Sequence, residues 1–141
     1  MTKNKNKVFV VVGKIKNERG ITKMINNAKL KNAFKLSSRI TLYVPATINT
    51  KEEIDNSLHV DRAASLFSEC FGGSTSTPAL GYWMSNTQGL IKEKTTIVFA
   101  YCSDSDLQKN IDKIVEFCEQ LKKEMSQEAI ALEINGEMYF I

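Results

Sequence analysis

One histidine is available for acid–base work in this chain of 141 residues. His59 lies beside Asp61 and Arg62, with Glu69 and Cys70 further on, so an acid, a base and a nucleophile follow one another closely. If the segment is helical, the separation of eleven positions from His59 to Cys70 amounts to about three turns, or roughly 16 Å of rise, which puts the two side chains beyond hydrogen-bond reach. His59 therefore reads as a surface residue near an acid at a helix start, and no catalytic residue is assigned. The three cysteines, Cys70, Cys102 and Cys118, are an odd number at spacings of 32 and 16, which matches neither a disulfide framework nor a metal knuckle. They read as reduced core thiols, since free cysteine is among the most buried residue types. No metal site and no cofactor are assigned.

Phe71-Gly-Gly-Ser-Thr-Ser-Thr77 has the glycines and hydroxyls of an anion cradle. Its context argues otherwise: a phosphate loop follows a strand, opens a helix and carries a lysine in register, whereas here the glycines follow a helical pattern and open a strand. The segment is read as a helix cap and a polar strand. Tyr82, Trp83 and Tyr101, with Tyr139, are candidates for a ligand or interface patch, because aromatic faces stack on planar ligands or bases.

Charge supplies a further signal. Residues 1–39 hold nine Lys and two Arg against the single acid Glu18, a net of +10, and residues 40–141 hold eight cations against fifteen acids, a net of −7. Lys14, Lys16, Arg19, Lys23, Lys29, Lys31 and Lys35 are the candidate nucleic-acid contacts, since each phosphate neutralised releases counterions. A solvated leader that keeps the chain soluble accounts for the same lysines.

These residues must be positioned by regular elements. In the basic segment, Val8 to Val12 is a short β-branched run closed by Gly13, and Ile21, Met24, Ile25 and Ala28 recur at helical spacing. From Arg39, Ile40, Leu42 and Val44 alternate with Thr41 and Tyr43 up to Pro45, the period of a half-buried strand. Val60, Ala63, Ala64, Phe67 and Phe71 predict a helix capped by Gly72 and Gly73. Two strands follow, one near Ser74 to Met84 and one from Leu90 to Cys102; Pro78 requires the first to begin after it or to lie at a sheet edge. Ser103 and Asp106 approximate a capping box ahead of Leu107, Ile111, Ile114, Cys118, Leu121 and Met125, a core-facing helix. Asn135-Gly136 between two apolar runs predicts a terminal hairpin.

The order predicts an α+β, ferredoxin-like β-α-β-β-α-β antiparallel sheet with a C-terminal hairpin and a basic N-terminal strand/helix extension, divided as 1–38 and 39–141. Tyr43-Val-Pro-Ala-Thr, Phe71-Gly-Gly-Ser-Thr, Gly81-Tyr-Trp and Ala131-Leu-Glu-Ile-Asn-Gly-Glu-Met-Tyr-Phe-Ile resemble a group of small uncharacterised proteins of bacterial plasmids and other mobile elements, over roughly residues 40–141. The resemblance implies a bacterial accessory role and brings no site residues.

Composition, with 43% hydrophobic and 25% charged residues, fits a globular domain and excludes collagenous, low-complexity and disulfide-rich classes. No apolar run approaches the roughly 20 residues of a membrane span, and Val8 to Val12 is short for a secretory leader, so a cytoplasmic protein is expected. The leading functional expectation is a non-enzymatic accessory protein whose acidic body binds a protein partner or a second copy through an open sheet face. The alternatives are a nucleic-acid-associated factor using the basic arm, and a small enzyme or ligand binder with a pocket between sheet and helices lined by Trp83, Tyr101 and Cys102.

Overall fold

The computed structural model describes residues 25–49 and 51–141. The chain divides into two compact units, residues 1–35 and 36–141. The expected strand at Val8 to Val12 and the candidate contacts Lys14, Lys16, Arg19 and Lys23 lie outside the described residues. Within the first unit one helical turn, α1 (Ala28–Lys31), is capped by Asn27, whose Oδ1 accepts from the backbone N–H groups of Lys29 at 3.0 Å and Leu30 at 3.1 Å. Lys29, Lys31 and Lys35 are exposed.

The second unit is built on β1 (Ser38–Pro45), whose β-branched and aromatic residues suit a pleated surface. Ile40, Leu42 and Val44 are fully buried beneath the helices. A short loop with a minimal hairpin, β2 (Thr47–Ile48) against β3 (Glu52–Glu53), falls in the stretch expected to be only a polar loop. It is stapled by backbone bonds from Ile54 N to Ala46 O at 3.0 Å and by Gln127 Nε2 to Thr47 O at 2.9 Å. Then comes α2 (Ser57–Phe71), which starts nearly a turn before the expected Val60 because the Asp55 carboxylate accepts from both the backbone N–H and the hydroxyl of Ser57. Asn56 turns inward instead, donating from Nδ2 to Val44 O at 3.2 Å, Pro45 O at 3.1 Å and Thr96 Oγ1 at 3.2 Å, which fixes the helix start to β1. The helix ends at Gly72 with φ +93°, a conformation that costs glycine least.

A long hairpin follows, β4 (Thr75–Ser85) and β5 (Gly89–Cys102). Pro78 sits inside β4, which is tolerated because among the described residues β4 is an edge strand paired only with β5. α3 (Asp104–Glu124) opens with Ser103 Oγ accepting from Asp106 N at 3.0 Å, and buries Leu107, Ile114, Phe117, Cys118 and Leu121. β6 (Ala131–Ile134) and β7 (Glu137–Phe140) turn at Asn135 and Gly136, with φ of +53° and +88°.

All neighbouring strands are antiparallel, in the order β4-β5-β1-β6-β7. This is the ferredoxin-like arrangement with the terminal hairpin adding a fifth strand, as the element order predicts. One apolar core joins Ile40, Leu42, Val98, Ala100 and Leu132 of the sheet to Phe67 of α2 and Ile114 and Leu121 of α3, so both helices cover the same sheet face. No described helix is long and apolar enough to cross a membrane.

Candidate functional site

Successive strand residues point to opposite faces, so the alternation that buries Ile40, Leu42 and Val44 under the helices sends Arg39, Thr41 and Tyr43 to the opposite face, uncovered by any described helix. Cross-strand partners share a face, and the register therefore writes out one transverse row there: Thr75, Phe99, Thr41, Glu133 and Met138, one residue from each of the five strands. In the next row Tyr101 stands opposite Arg39.

Arg39 is the focus of this face. Its guanidinium carbon lies 4.3 Å from the centre of the Phe99 ring and 5.5 Å from that of Tyr101, an arrangement held by ring quadrupoles. The two rings meet edge to face with centroids 6.2 Å apart. Arg39 Nε donates to Thr41 Oγ1 at 3.3 Å and Nη1 to Tyr101 Oη at 3.4 Å. Thr41 is only 1% exposed although it lies on the uncovered face, because it sits between Phe99, Glu133, Arg39 and Tyr43 on a central strand. Among the described residues the ion pairs join His59 and Arg62 to Glu124 and Lys94 to Glu53; neither Arg39 nor Glu133 takes part in one. The face thus presents a half-buried cation and a half-buried carboxylate, each without a charged partner among the described residues.

Phe99 and Tyr101 also form one wall of a cleft of about 460 Å³ at the end of α2, with Leu36, Phe71, Gly73 and Thr75 around it. That volume is in the range of small-molecule sites. The glycine and hydroxyl segment contributes shape here. Ser74 Oγ donates to Ala64 O at 3.0 Å and pairs with Ser68 Oγ at 2.9 Å, closing the helix end, and a Cβ at Gly73 would meet nothing within 4 Å.

Tyr82, Trp83 and Tyr101 do not converge. Tyr82 and Trp83 are successive and face opposite ways; Trp83 is in register with Ile91, ten residues from Tyr101 along β5, or about 33 Å. Trp83 Nε1 donates instead to Glu93 beside it. The pocket expected between sheet and helices, lined by Trp83, Tyr101 and Cys102, does not form either: Cys102 is 1% exposed in the core, the two aromatics lie on the other face, and Phe67, Ile114 and Leu132 fill the interval.

A second polar group ties the start of α2 to the end of α3. Arg62 makes a two-pronged bond to Glu124, Nη1 to Oε1 at 2.7 Å and Nη2 to Oε2 at 3.3 Å, and His59 Nε2 lies 3.5 Å from Oε1. His59 thus pairs across the helices with Glu124 and not with an acid at its own helix start. Its Nδ1 is buried without a hydrogen-bond partner among the described residues. The Arg62 hydrogen bonds hold the Glu124 carboxyl below the usual carboxylate range. A depressed folded-state pKa stabilises above the unfolded value and is lost as pH falls through the folded one. Glu124 is 44% exposed, so screening limits the effect: Glu124→Gln is expected to cost at most about 1 kcal/mol at pH ~7. The difference from the parent should vanish in acid below the ordinary glutamate range, as read by urea unfolding at both conditions.

Among the described residues no group of three or more His, Cys, Asp or Glu is arranged to hold a metal ion. The Arg39, Phe99 and Tyr101 group was not legible from sequence spacing, because its members lie on β1 and β5 and only register brings them together.

No family model and no curated sequence matches the chain. Among solved structures, a phage SAM lyase in complex with S-methyl-5′-thioadenosine is similar in fold, with a TM-score of 0.56 at 15% identity over 77% of this chain and 93% of that one. A phage SAM lyase in its apo state gives 0.55 at 15% identity over 75% and 89%. The expectation of a non-enzymatic accessory protein acting by protein–protein binding is corrected by this likeness: nearly the whole length of an enzyme has the architecture found here. The expectation rested on the lack of reactive groups close together in sequence, and spacing does not show groups that strand register brings together, such as Arg39, Phe99 and Tyr101.

Proposed function

We propose that this chain is an enzyme that takes an S-adenosyl sulfonium compound, S-adenosylmethionine or a close analogue, and cleaves it without adding water. The observation that carries the reading is the shared fold, extending over 77% of this chain and 93% of the phage SAM lyase. Fold alone does not determine chemistry, and the uncovered face adds a physical argument. The cleft of about 460 Å³ has room for a nucleoside, and Phe99 and Tyr101 add apolar surface to its wall. The phage neighbour also supports a mobile-element setting.

In such a reaction the bond between sulfur and the amino-acid fragment breaks, and its electron pair passes to sulfur. The sulfonium becomes the neutral thioether of S-methyl-5′-thioadenosine. The carbon left behind is satisfied within its own fragment, either by passing a proton from the adjacent carbon to a solvent water as base or by closure of the fragment's carboxylate onto it, so no solvent oxygen enters the product. The positive charge on sulfur is dispersed as the bond breaks. The role of this chain's residues is to bind and orient the substrate, with Phe99 and Tyr101 as one wall of its cleft.

Incubation of the purified protein with S-adenosylmethionine in ¹⁸O-labelled water tests the proposal. Time- and enzyme-dependent formation of S-methyl-5′-thioadenosine, with an amino-acid product free of ¹⁸O when it is first released, is expected. The absence of thioadenosine above the uncatalysed background, together with no saturable binding of it by calorimetry, overturns the reading.

A further inference from the structure

We infer that Arg39 and Glu133 form a clamp for the zwitterionic amino-acid end of the substrate, the guanidinium taking the α-carboxylate and the Glu133 carboxylate the α-ammonium. The inference deepens the proposed function and rests on it for the identity of the ligand.

The register supports the pairing. Glu133 on β6 stands opposite Thr41 on β1, and Arg39 is two residues along β1 from Thr41 on the same face. Such a diagonal spans about 7–8 Å between backbones, so the two side chains flank the Thr41 hydroxyl. They form no ion pair with each other. Each is half-buried and has no charged partner among the described residues. An α-amino acid carries both signs on adjacent atoms and would neutralise both groups at once.

Arg39 is also oriented in advance. Its stem is fixed by the Phe99 and Tyr101 rings, and Nε and Nη1 are engaged by Thr41 and Tyr101. Nη2 has no partner in any hydrogen bond of the described residues. A planar donor edge held in place suits a carboxylate. The clamp explains how one face could separate substrate from product: S-methyl-5′-thioadenosine shares the nucleoside and the sulfur but lacks the zwitterion.

Calorimetric titration of the full chain with S-adenosylmethionine and with S-methyl-5′-thioadenosine distinguishes this from a structural role for Arg39. Arg39→Met and Glu133→Gln are each expected to weaken binding of S-adenosylmethionine about 10- to 100-fold, with less than about a twofold change for the thioadenosine, which also reports that the variant is folded. Arg39→Lys, which keeps the charge and loses the fork, should fall between. Equal losses for both ligands, or no loss for either, overturn the clamp. If the parent protein binds neither nucleoside, the adenosyl reading fails and the clamp is read separately, by following the Arg39 Nε resonance during titration with L-methionine. A saturable change abolished by Glu133→Gln supports the clamp, and no saturable change overturns it.

Discussion

Phe67→Ala is expected to lower the unfolding free energy by about 3–5 kcal/mol, the range for truncating a buried aromatic and leaving a cavity. Phe67 is fully buried on α2, with its ring edge-on to Phe71 at 5.8 Å between centroids. It belongs to the core that joins α2 to Ile40 and Leu42 of β1, Val98 and Ala100 of β5, and Ile114 of α3. The site has little freedom to collapse, because β1 is central and hydrogen-bonded on both sides. With a total stability of about 5–15 kcal/mol for a domain of this kind, such a loss consumes a large share and should move the urea midpoint strongly with the slope unchanged. Leu58, on the same helix but 68% exposed, is the control: Leu58→Ala should stay within about 0.5 kcal/mol. A Phe67→Ala cost below about 1 kcal/mol would show that α2 is not seated on the sheet in the way described.

The elements that sequence patterning predicts are those whose physics is local. The alternation of Ile40, Leu42 and Val44, the spacing of Leu107 through Leu121 behind the Ser103 cap, and the Asn135-Gly136 turn each need only neighbours a few residues away, and each is found. The order of these elements then limits the topology, since crossover helices between antiparallel strands leave few sheet orders. Groups made by distant pairings were not legible. Asn56 carries no helix-capping side-chain bond because Val44, Pro45 and Thr96 claim its amide. His59 meets Glu124 only because α2 and α3 pack together.

Arg39 shows the limit most clearly. Counting charge along the chain places it as the last cation of the basic segment, but β1 begins at Ser38, and the pleat aims Arg39 at Phe99 and Tyr101, some sixty residues away. Likewise Ser38, which reads as polar leader sequence, is 1% exposed and bonded to Asp104 at the start of α3. A cation followed at once by an alternating strand is the one available signal, since strand alternation fixes its face even when its partners are unknown.

The second large effect concerns the thiols. Under native conditions an aromatic disulfide reagent should modify Cys70 slowly and leave Cys102 and Cys118 intact, and all three should react at once in denaturant. Cys118 is fully buried, and burial, followed by the nearby Glu119 charge, pushes its pKa from 9.0 to about 12. At neutral pH a thiol held that high carries a thiolate fraction roughly 1,000-fold smaller than an ordinary one, before access is considered. Cys102 is raised by burial and by Asp106 and Asp104. Cys70 is raised mainly by burial, with Lys113 opposing. None is a poised nucleophile, and a thiolate intermediate would require what these surroundings oppose. Cleavage of a sulfonium needs no such intermediate, because the leaving sulfur accepts the electron pair itself. On the proposed lyase reading, Cys70→Ser should therefore keep S-adenosylmethionine turnover within about twofold, whereas stoichiometric modification of Cys118 in the folded protein on the timescale of a free thiol would show that α3 is not packed on the sheet as described.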